Sequence, residues 1–202
     1  MPRQISIRFG AAVLILLSAA ACVSPSAVAI GGDKQQTAFF SIQDRADTVV
    51  FVVDMSGSMN DGQRFDRAVA ELVRSLRALA PTQKFFVFFF NATTHPMLDM
   101  RSAQLLPATP DNRAKVVKWI KKLEPDADTA PEDALEQALK LQPQVIYFLT
   151  DGELPPTTPD TVKKLNHAHK TVIHTIAFVT EEGADMLKAI ARDNGGKYQF
   201  VR

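Results

Sequence analysis

Residues 49–58 read VVFVVDMSGS, an apolar run that ends in alternating oxygen-bearing side chains. Asp54, Ser56 and Ser58 supply a carboxylate and two hydroxyls, and Gly57 between the serines permits a tight turn. Hard divalent cations such as Mg²⁺ prefer several oxygen ligands of this kind, so the three side chains are candidate metal ligands. Asp and Ser are also common turn residues, which leaves an ordinary capped turn as the alternative.

Strands that alternate with amphipathic helices must position this loop. Apolar runs predict strands at 48–53, 84–90, 144–150, 171–179 and 197–202, with a short edge strand at 95–100. Apolar residues at helical spacing, and helix start signals, predict helices at 64–79, within 109–125, and at 131–141, 158–170 and 181–193. Thr158 is expected to cap the helix at 158–170. This alternation predicts an α/β fold: a doubly wound, mostly parallel central sheet with helices on both faces.

Two further oxygen-bearing residues are predicted to meet the first three at one edge of the sheet. Asp151 follows the apolar run at 144–150, as Asp54 follows the run at 48–53. Thr129 precedes the helix predicted at 131–141. Ligands of open parallel sheets bind beyond the carboxyl ends of the strands, so these segments are expected to offer their oxygens to a single point.

Composition excludes several other classes of protein. The 202 residues are 46% hydrophobic and 22% charged, enough for one full globular core, and a net charge of +1 does not favour nucleic acid as a partner. The sequence has no Ser-His-Asp or Cys-His arrangement and neither the GxxxxGK[ST] nor the GxGxxG phosphate-binding pattern. Asp54 and Asp151 could activate a metal-bound water, which keeps a metal-dependent hydrolase as an alternative.

The N-terminus has the order of an export signal. MPRQISIRFG carries two arginines and no acid, and the apolar AAVLILLSAAACV that follows is shorter than the roughly 20 residues of a membrane span. Ala27-Val28-Ala29 fits a signal peptidase site. We therefore expect a signal peptide at 1–29, a lead-in segment at 30–45 and one domain at 46–202. The mature protein would be periplasmic, in the cell envelope or secreted.

Cys22 is the one cysteine of the chain. Its context, LSAAAC, is a loose match to a lipidation signal, so contact with a membrane would come only through a lipid on Cys22 or through an uncleaved N-terminal anchor. If the signal peptide is removed instead, the mature chain has no cysteine and no disulfide.

Three segments together resemble the von Willebrand factor type A domain, in the same order and over nearly all of the mature chain. They are DMSGS, a threonine before PEDALEQAL, and FLTDGE at the end of a later strand. The resemblance implies a Rossmann-like fold with a metal-ion-dependent adhesion site. Ser56, Ser58 and Thr129 would then ligate Mg²⁺ directly, whereas Asp54 and Asp151 would act mostly through waters. An open coordination position would accept an Asp or Glu of a protein partner, and the helix at 181–193 is the family's usual moving element.

The loop EPDADTAPED, residues 124–133, departs from the family pattern. Asp128 stands directly before Thr129, where the family often has a small residue, and the loop holds four other acids. These acids could attract the cation and repel an acidic partner, or they could simply be solvated.

The sequence thus predicts an exported domain that is not an enzyme. It binds Mg²⁺, with Mn²⁺ or Ca²⁺ as alternatives, and through the cation a protein partner. A structural envelope protein, whose metal site only stabilises its loops, is the main alternative, and the hydrolase is a second.

Overall fold

The computed structural model describes Met1 and residues 35–99, 104–152, 154–168 and 170–202. The predicted signal peptide and Cys22 lie outside this set. The helices are α1 (Arg64–Ala78), α2 (Pro110–Ile120), α3 (Glu132–Lys140), α4 (Thr158–Asn166) and α5 (Ala184–Asp193). The strands are β1 (Gln36–Phe39), β2 (Ile42–Arg45), β3 (Thr48–Asp54), β4 (Lys84–Phe90), β5 (Thr94–Pro96), β6 (Leu106–Pro107), β7 (Val145–Thr150), β8 (Val172–Phe178) and β9 (Tyr198–Val201).

The main sheet has the strand order β5-β4-β3-β7-β8-β9, and β6 also pairs with β4. Five strands run parallel to one another: β4, β3, β7, β8 and β9. The strands β5 and β6 run antiparallel to β4. The predicted α/β fold with a mostly parallel sheet is therefore confirmed. Because β3, β4 and β7 are parallel, all three end at the same edge of the sheet, which we call the carboxyl edge.

The central strands are apolar on both faces because both faces are covered. Every residue of β7 is buried, and so is every residue of β3 and β4 except the first of each. Fully covered parallel strands read as continuous apolar runs, which explains why sequence alone found them within one residue of their observed ends. Each central strand thus coincides with a run of buried apolar side chains, and polar residues follow where the run ends.

Residues 36–45 lie in the predicted lead-in, where the run TAFFSI could add a small strand. They form an antiparallel hairpin of β1 and β2. The Phe39 ring is fully buried and packs edge-on against Phe51, with ring centroids 5.3 Å apart. The turn residues Phe40 and Ser41 have φ values of 45° and 67°, the positive values that a two-residue hairpin turn requires. Glu71 of α1 accepts the Phe40 N–H at 2.8 Å, so the hairpin is fixed to the domain core.

Helix starts differ from the sequence prediction at two places. Thr158 was expected to cap α4, but it is the first helical residue, and its hydroxyl donates instead to Glu132 Oε1 at 2.6 Å. Helix α5 begins at Ala184, three residues later than predicted, after Gly183 with a φ of 72°. Within the described part of the chain, every helix is too short or too polar to cross a bilayer.

His174 of β8 ties the hairpin to the sheet. Its Nδ1 accepts the Lys197 N–H at 3.0 Å, so Nε2 carries the proton and donates to Asp44 Oδ2, also at 3.0 Å. Burial lowers the pKa of His174 below its ordinary value, against the opposing hydrogen bond and charge of Asp44. The neutral ring is therefore the form that the fold favours.

We expect His174 to make the protein less stable as the pH falls through about 6.5. The unfolded chain takes up a proton there, whereas the folded chain takes it up only at a lower pH, so protons favour unfolding in that window. Urea unfolding of the wild type and of His174→Gln between pH 5 and 8 measures this effect, because the other titrations cancel in the difference between the two proteins. A difference that does not change with pH would contradict the neutral buried ring.

Candidate metal centre

The candidate site lies at the carboxyl edge, where three loops meet. Asp54 ends β3, and the backbone after it forms 3₁₀ turns over Gly57–Gln63, interrupted by a kink at Asp61 and Gly62. Asp151 follows the last residue of β7, and Thr129 lies in the loop between α2 and α3. The Gly57 N–H donates to Ala127 O at 2.9 Å, and a Cβ on Gly57 would lie 3.4 Å from that oxygen. A backbone hydrogen bond thus joins the loop that follows Asp54 to the loop that carries Thr129.

Ser56 and Ser58 place two hydroxyl oxygens side by side, 3.2 Å apart. The Ser58 hydroxyl donates its proton to Asp151 Oδ1 at 2.8 Å, across 93 residues of sequence. A hydroxyl that donates to a carboxylate keeps its lone pairs available for a cation. In an octahedral Mg²⁺ shell with bonds of about 2.1 Å, adjacent oxygens lie about 3.0 Å apart, so the serine pair fits a cation of this size.

The Asp54 carboxylate is fully buried behind these hydroxyls. Its Oδ1 accepts the Ser56 N–H at 2.7 Å, and its Oδ2 accepts the Thr150 hydroxyl at 2.5 Å. Burial raises the pKa of Asp54 from 3.8 to about 6, although these hydrogen bonds lower it; the nearby charge of Asp151 raises it further. A cation close by would favour the ionised form that burial penalises.

Asp151 is paired with a cation of the chain itself. Its side chain has no exposed surface, and Arg64 Nη1 donates to Oδ2 at 2.8 Å, opposite the oxygen that Ser58 uses. The same nitrogen reaches Ser58 O at 3.3 Å. Arg64 therefore fixes the orientation of Asp151 and offsets its charge. Sequence reasoning did not single out Arg64, because an arginine in the first turn of an amphipathic helix carries no signal of a partner 87 residues away.

Thr129 lines a cavity of about 540 Å³ together with Ser56, Ser58 and Asp128. The remaining wall comes from Ala127 and from Leu154, Pro155 and Pro156 after β7. Asp54 and Asp151 are not among the lining residues, so hydroxyls face the cavity and the carboxylates lie behind them. The structure thus brings all five predicted residues to one edge, in two layers.

Asn91, at the end of β4, holds the Thr129 loop in place. Its side-chain Nδ2 donates to Asp126 Oδ1 at 2.6 Å, and its backbone carbonyl accepts the Ala130 N–H at 2.9 Å. Asn91-Ala92-Thr93 matches a glycosylation sequon, but the Asn91 side chain is 5% exposed and bonded on both sides. Its position one residue past a buried strand was the available signal for a role at this edge.

Three of the five acids in the loop at 124–133 are engaged in hydrogen bonds. Asp126 bonds Asn91, Glu132 accepts the Thr158 hydroxyl, and Asp133 accepts the Gln137 amide. Glu124 and Asp128 are exposed, and neither is part of a hydrogen bond or ion pair with the residues that the structure describes. The acidity that remains free at the site is thus mainly that of Asp128 on the cavity wall.

Carboxylates alone do not make this site. In the described ranges, no three His, Cys, Asp or Glu side chains lie close enough together to hold a metal ion. A cation here would depend on the serine and threonine hydroxyls, which suits a hard ion such as Mg²⁺ better than a soft one.

Comparison with known proteins places this geometry in context. The sequence model of the von Willebrand factor type A domain matches residues 47–200. An uncharacterized protein of Synechocystis sp., sll0103, is 26% identical over 160 residues, which are 74% of this chain and 36% of that protein. The chain therefore spans about a third of the length of this curated relative.

Solved structures share the fold at low sequence identity. A von Willebrand factor type A protein from Catenulispora acidiphila superimposes with a TM-score of 0.71 at 19% identity, over 79% of this chain and 40% of that chain. Proximal thread matrix protein 1 from the mussel byssus, in a structure described as having a zinc-occupied MIDAS motif, gives a TM-score of 0.60 at 21% identity, over 76% of this chain and 41% of that chain.

Proposed function

The chain belongs to the von Willebrand factor type A family, and from that premise we propose that it binds a divalent cation at the carboxyl edge and a protein partner through that cation. Mg²⁺ is the ion we favour. Ser56, Ser58 and Thr129 would contact the ion, with Asp54 and Asp151 behind them. The observation that carries the proposal is the serine pair: two hydroxyl oxygens 3.2 Å apart, one of which donates its proton to a buried carboxylate.

Charge at the site supports partner binding. The two negative charges of Asp54 and Asp151 would offset the two positive charges of a divalent cation. Arg64 adds one positive charge beside Asp151. An ion in this setting keeps electrophilic character toward the cavity, where a carboxylate of a partner could complete its shell. The family's domains are generally interaction modules, which agrees with this use of the site.

The two-layer arrangement favours binding over hydrolysis. The hydrolase alternative assigns Asp54 and Asp151 to activate a metal-bound water. Both carboxylates are buried and each already accepts two hydrogen bonds, which disfavours either of them as a general base. We therefore propose a binding domain without catalytic activity, exported by the N-terminal signal predicted from the sequence.

Calorimetry on the metal-free protein tests the cation site. We expect saturable binding of Mg²⁺ at up to millimolar concentration, lost in Thr129→Val because the variant keeps the shape of threonine and removes its oxygen. Thr82→Val, at an exposed threonine before β4, is the matched control and should bind as the wild type does. Mn²⁺, Ca²⁺ and Zn²⁺ titrations would rank the ions, since the mussel protein's site held zinc.

Two results would count against this proposal. Absence of saturable binding with any of the four ions would mean that the loops form a capped turn. If Thr129→Val binds Mg²⁺ as the wild type does, the ion binds outside the cavity. For the partner, capture of acidic proteins from an envelope extract should require Mg²⁺ and fail in Thr129→Val.

A further inference from the structure

Basic and acidic residues are strongly separated along the chain on either side of the end of α2. Residues 113–122 hold one arginine and four lysines and no acid, whereas residues 124–133 hold five acids and no cation. Lys115, Lys118, Lys121 and Lys122 are all exposed, and none has an ion-pair partner among the described residues. Arg113 differs, because its guanidinium donates to the carbonyls that end α1, Arg77 O at 2.8 Å and Leu79 O at 3.1 Å.

Two of these lysines, Lys118 and Lys121, border a groove between α1 and α2, which we call the α1/α2 groove. Its lower part is a cavity of about 470 Å³, walled by Arg77, Lys118 and Lys121 and floored by Pro110, Ala114 and Val117. Its upper part is a cavity of about 540 Å³ with an apolar wall that includes Phe65, Val69 and Leu123. Two acids, Asp66 and Glu124, also line it. Lys121 lines both cavities, so the two parts adjoin at this residue.

The α1/α2 groove leads to the metal edge. Helix α2 follows β6, which pairs with the start of β4 at Phe85, and so begins at the opposite end of the sheet. It ends at Ile120, before the loop that carries Thr129. The upper cavity is also lined by Asn60, which lies two residues after Ser58 and donates to Pro125 O at 2.8 Å. A chain segment lying in the groove would therefore arrive beside the candidate cation.

We propose that the α1/α2 groove binds an extended acidic segment of a protein partner, one that alternates carboxylates with apolar side chains. In the lower part, carboxylates match Lys118 and Lys121, and an apolar side chain matches the floor at Val117. In the upper part, apolar side chains match the wall at Phe65 and Val69, because Asp66 and Glu124 repel carboxylates there. The concave shape suits a peptide rather than a flat bilayer. This inference rests on the proposed function and deepens it, since it names the direction from which a carboxylate of the partner reaches the site.

Fluorescence anisotropy with a labelled twelve-residue peptide of alternating Glu and Leu tests the groove. The full protein should bind it in EDTA, more weakly as salt rises, and more tightly again in Mg²⁺. Lys118→Glu with Lys121→Glu should weaken binding in EDTA at least tenfold. Lys164→Glu, an exposed lysine on α4, is the matched charge reversal and should leave binding unchanged.

Two companion probes define the ligand. A Glu/Ser peptide should bind less tightly, because it cannot fill the apolar floor, and a Lys/Leu peptide should not bind. Equal binding by wild type and the double variant, or no binding of the Glu/Leu peptide, would overturn the proposal. Binding of phosphatidylglycerol vesicles without the peptide would also overturn it and would make α2 a membrane-facing helix. Because the test runs in EDTA, failure of the metal site would leave it intact.

Discussion

Asp54→Asn is expected to abolish Mg²⁺ binding and, in metal-free buffer at pH 7.5, to make the protein more stable than the wild type. The wild-type carboxylate is fully buried, and burial raises its pKa from 3.8 to about 6. The unfolded chain ionises this group freely, so ionisation costs the folded state on the order of 3 kcal/mol above pH 6. An uncharged amide avoids that cost and can still accept the Ser56 N–H and donate to the Thr150 hydroxyl.

The pH dependence identifies the cause of this gain. Because the folded pKa is the higher one, the wild type loses stability as the pH rises from about 4 to about 6, whereas the variant has no such loss at this position. The two proteins should therefore have similar stability near pH 4 and differ most above pH 6. Urea unfolding in EDTA across this range measures the difference.

Asp47→Asn is the matched control for Asp54→Asn. Asp47 is exposed and lies just before β3, at the other end of the strand that Asp54 terminates. It should change neither Mg²⁺ affinity nor the pH dependence. If Asp54→Asn instead destabilises the metal-free protein, Asp54 serves mainly to hold the loops, and the structural envelope role becomes the better account.

Gly196→Ala is expected to prevent folding or to cost more than about 4 kcal/mol, the range reserved for severe packing defects. A Cβ at Gly196 would lie 1.8 Å from Ile173 O, 2.4 Å from Ile173 C and 2.9 Å from His174 N. All three are backbone atoms of β8, which is hydrogen-bonded to β7 and β9, so no side chain can move to make room. Soluble expression and urea unfolding would show the loss.

Gly195→Ala separates this clash from the ordinary cost of replacing a glycine. Gly195 has a φ of 68° and no atom within 4 Å of an added Cβ, so only backbone strain of about 1 kcal/mol is expected. Comparable losses in the two variants would mean that β8 and the segment before β9 are farther apart than the structure places them.

The sequence by itself determined the fold and the chemistry of the candidate site. Continuous apolar runs predicted the ends of β3, β4 and β7 to within one residue, since a strand buried on both faces has few polar positions that would interrupt its apolar run. Parallel strands end at one edge, so Asp54 and Asp151 were expected to be neighbours, and each bonds the Ser56–Ser58 loop. The family and the fold are confirmed; the metal-binding role of the five residues stays a prediction.

Only the tertiary structure decided how the site is supported and approached. Three contacts each join distant parts of the chain. Arg64 pairs with Asp151, Asn91 bonds the Thr129 loop, and Phe39 packs the β1–β2 hairpin against the core. The meeting of two cavities at Lys121 in the α1/α2 groove likewise depends on how two helices pack. Hydrophobic periodicity reports which face of an element is buried, whereas contacts of this kind depend on which elements the sheet order brings together.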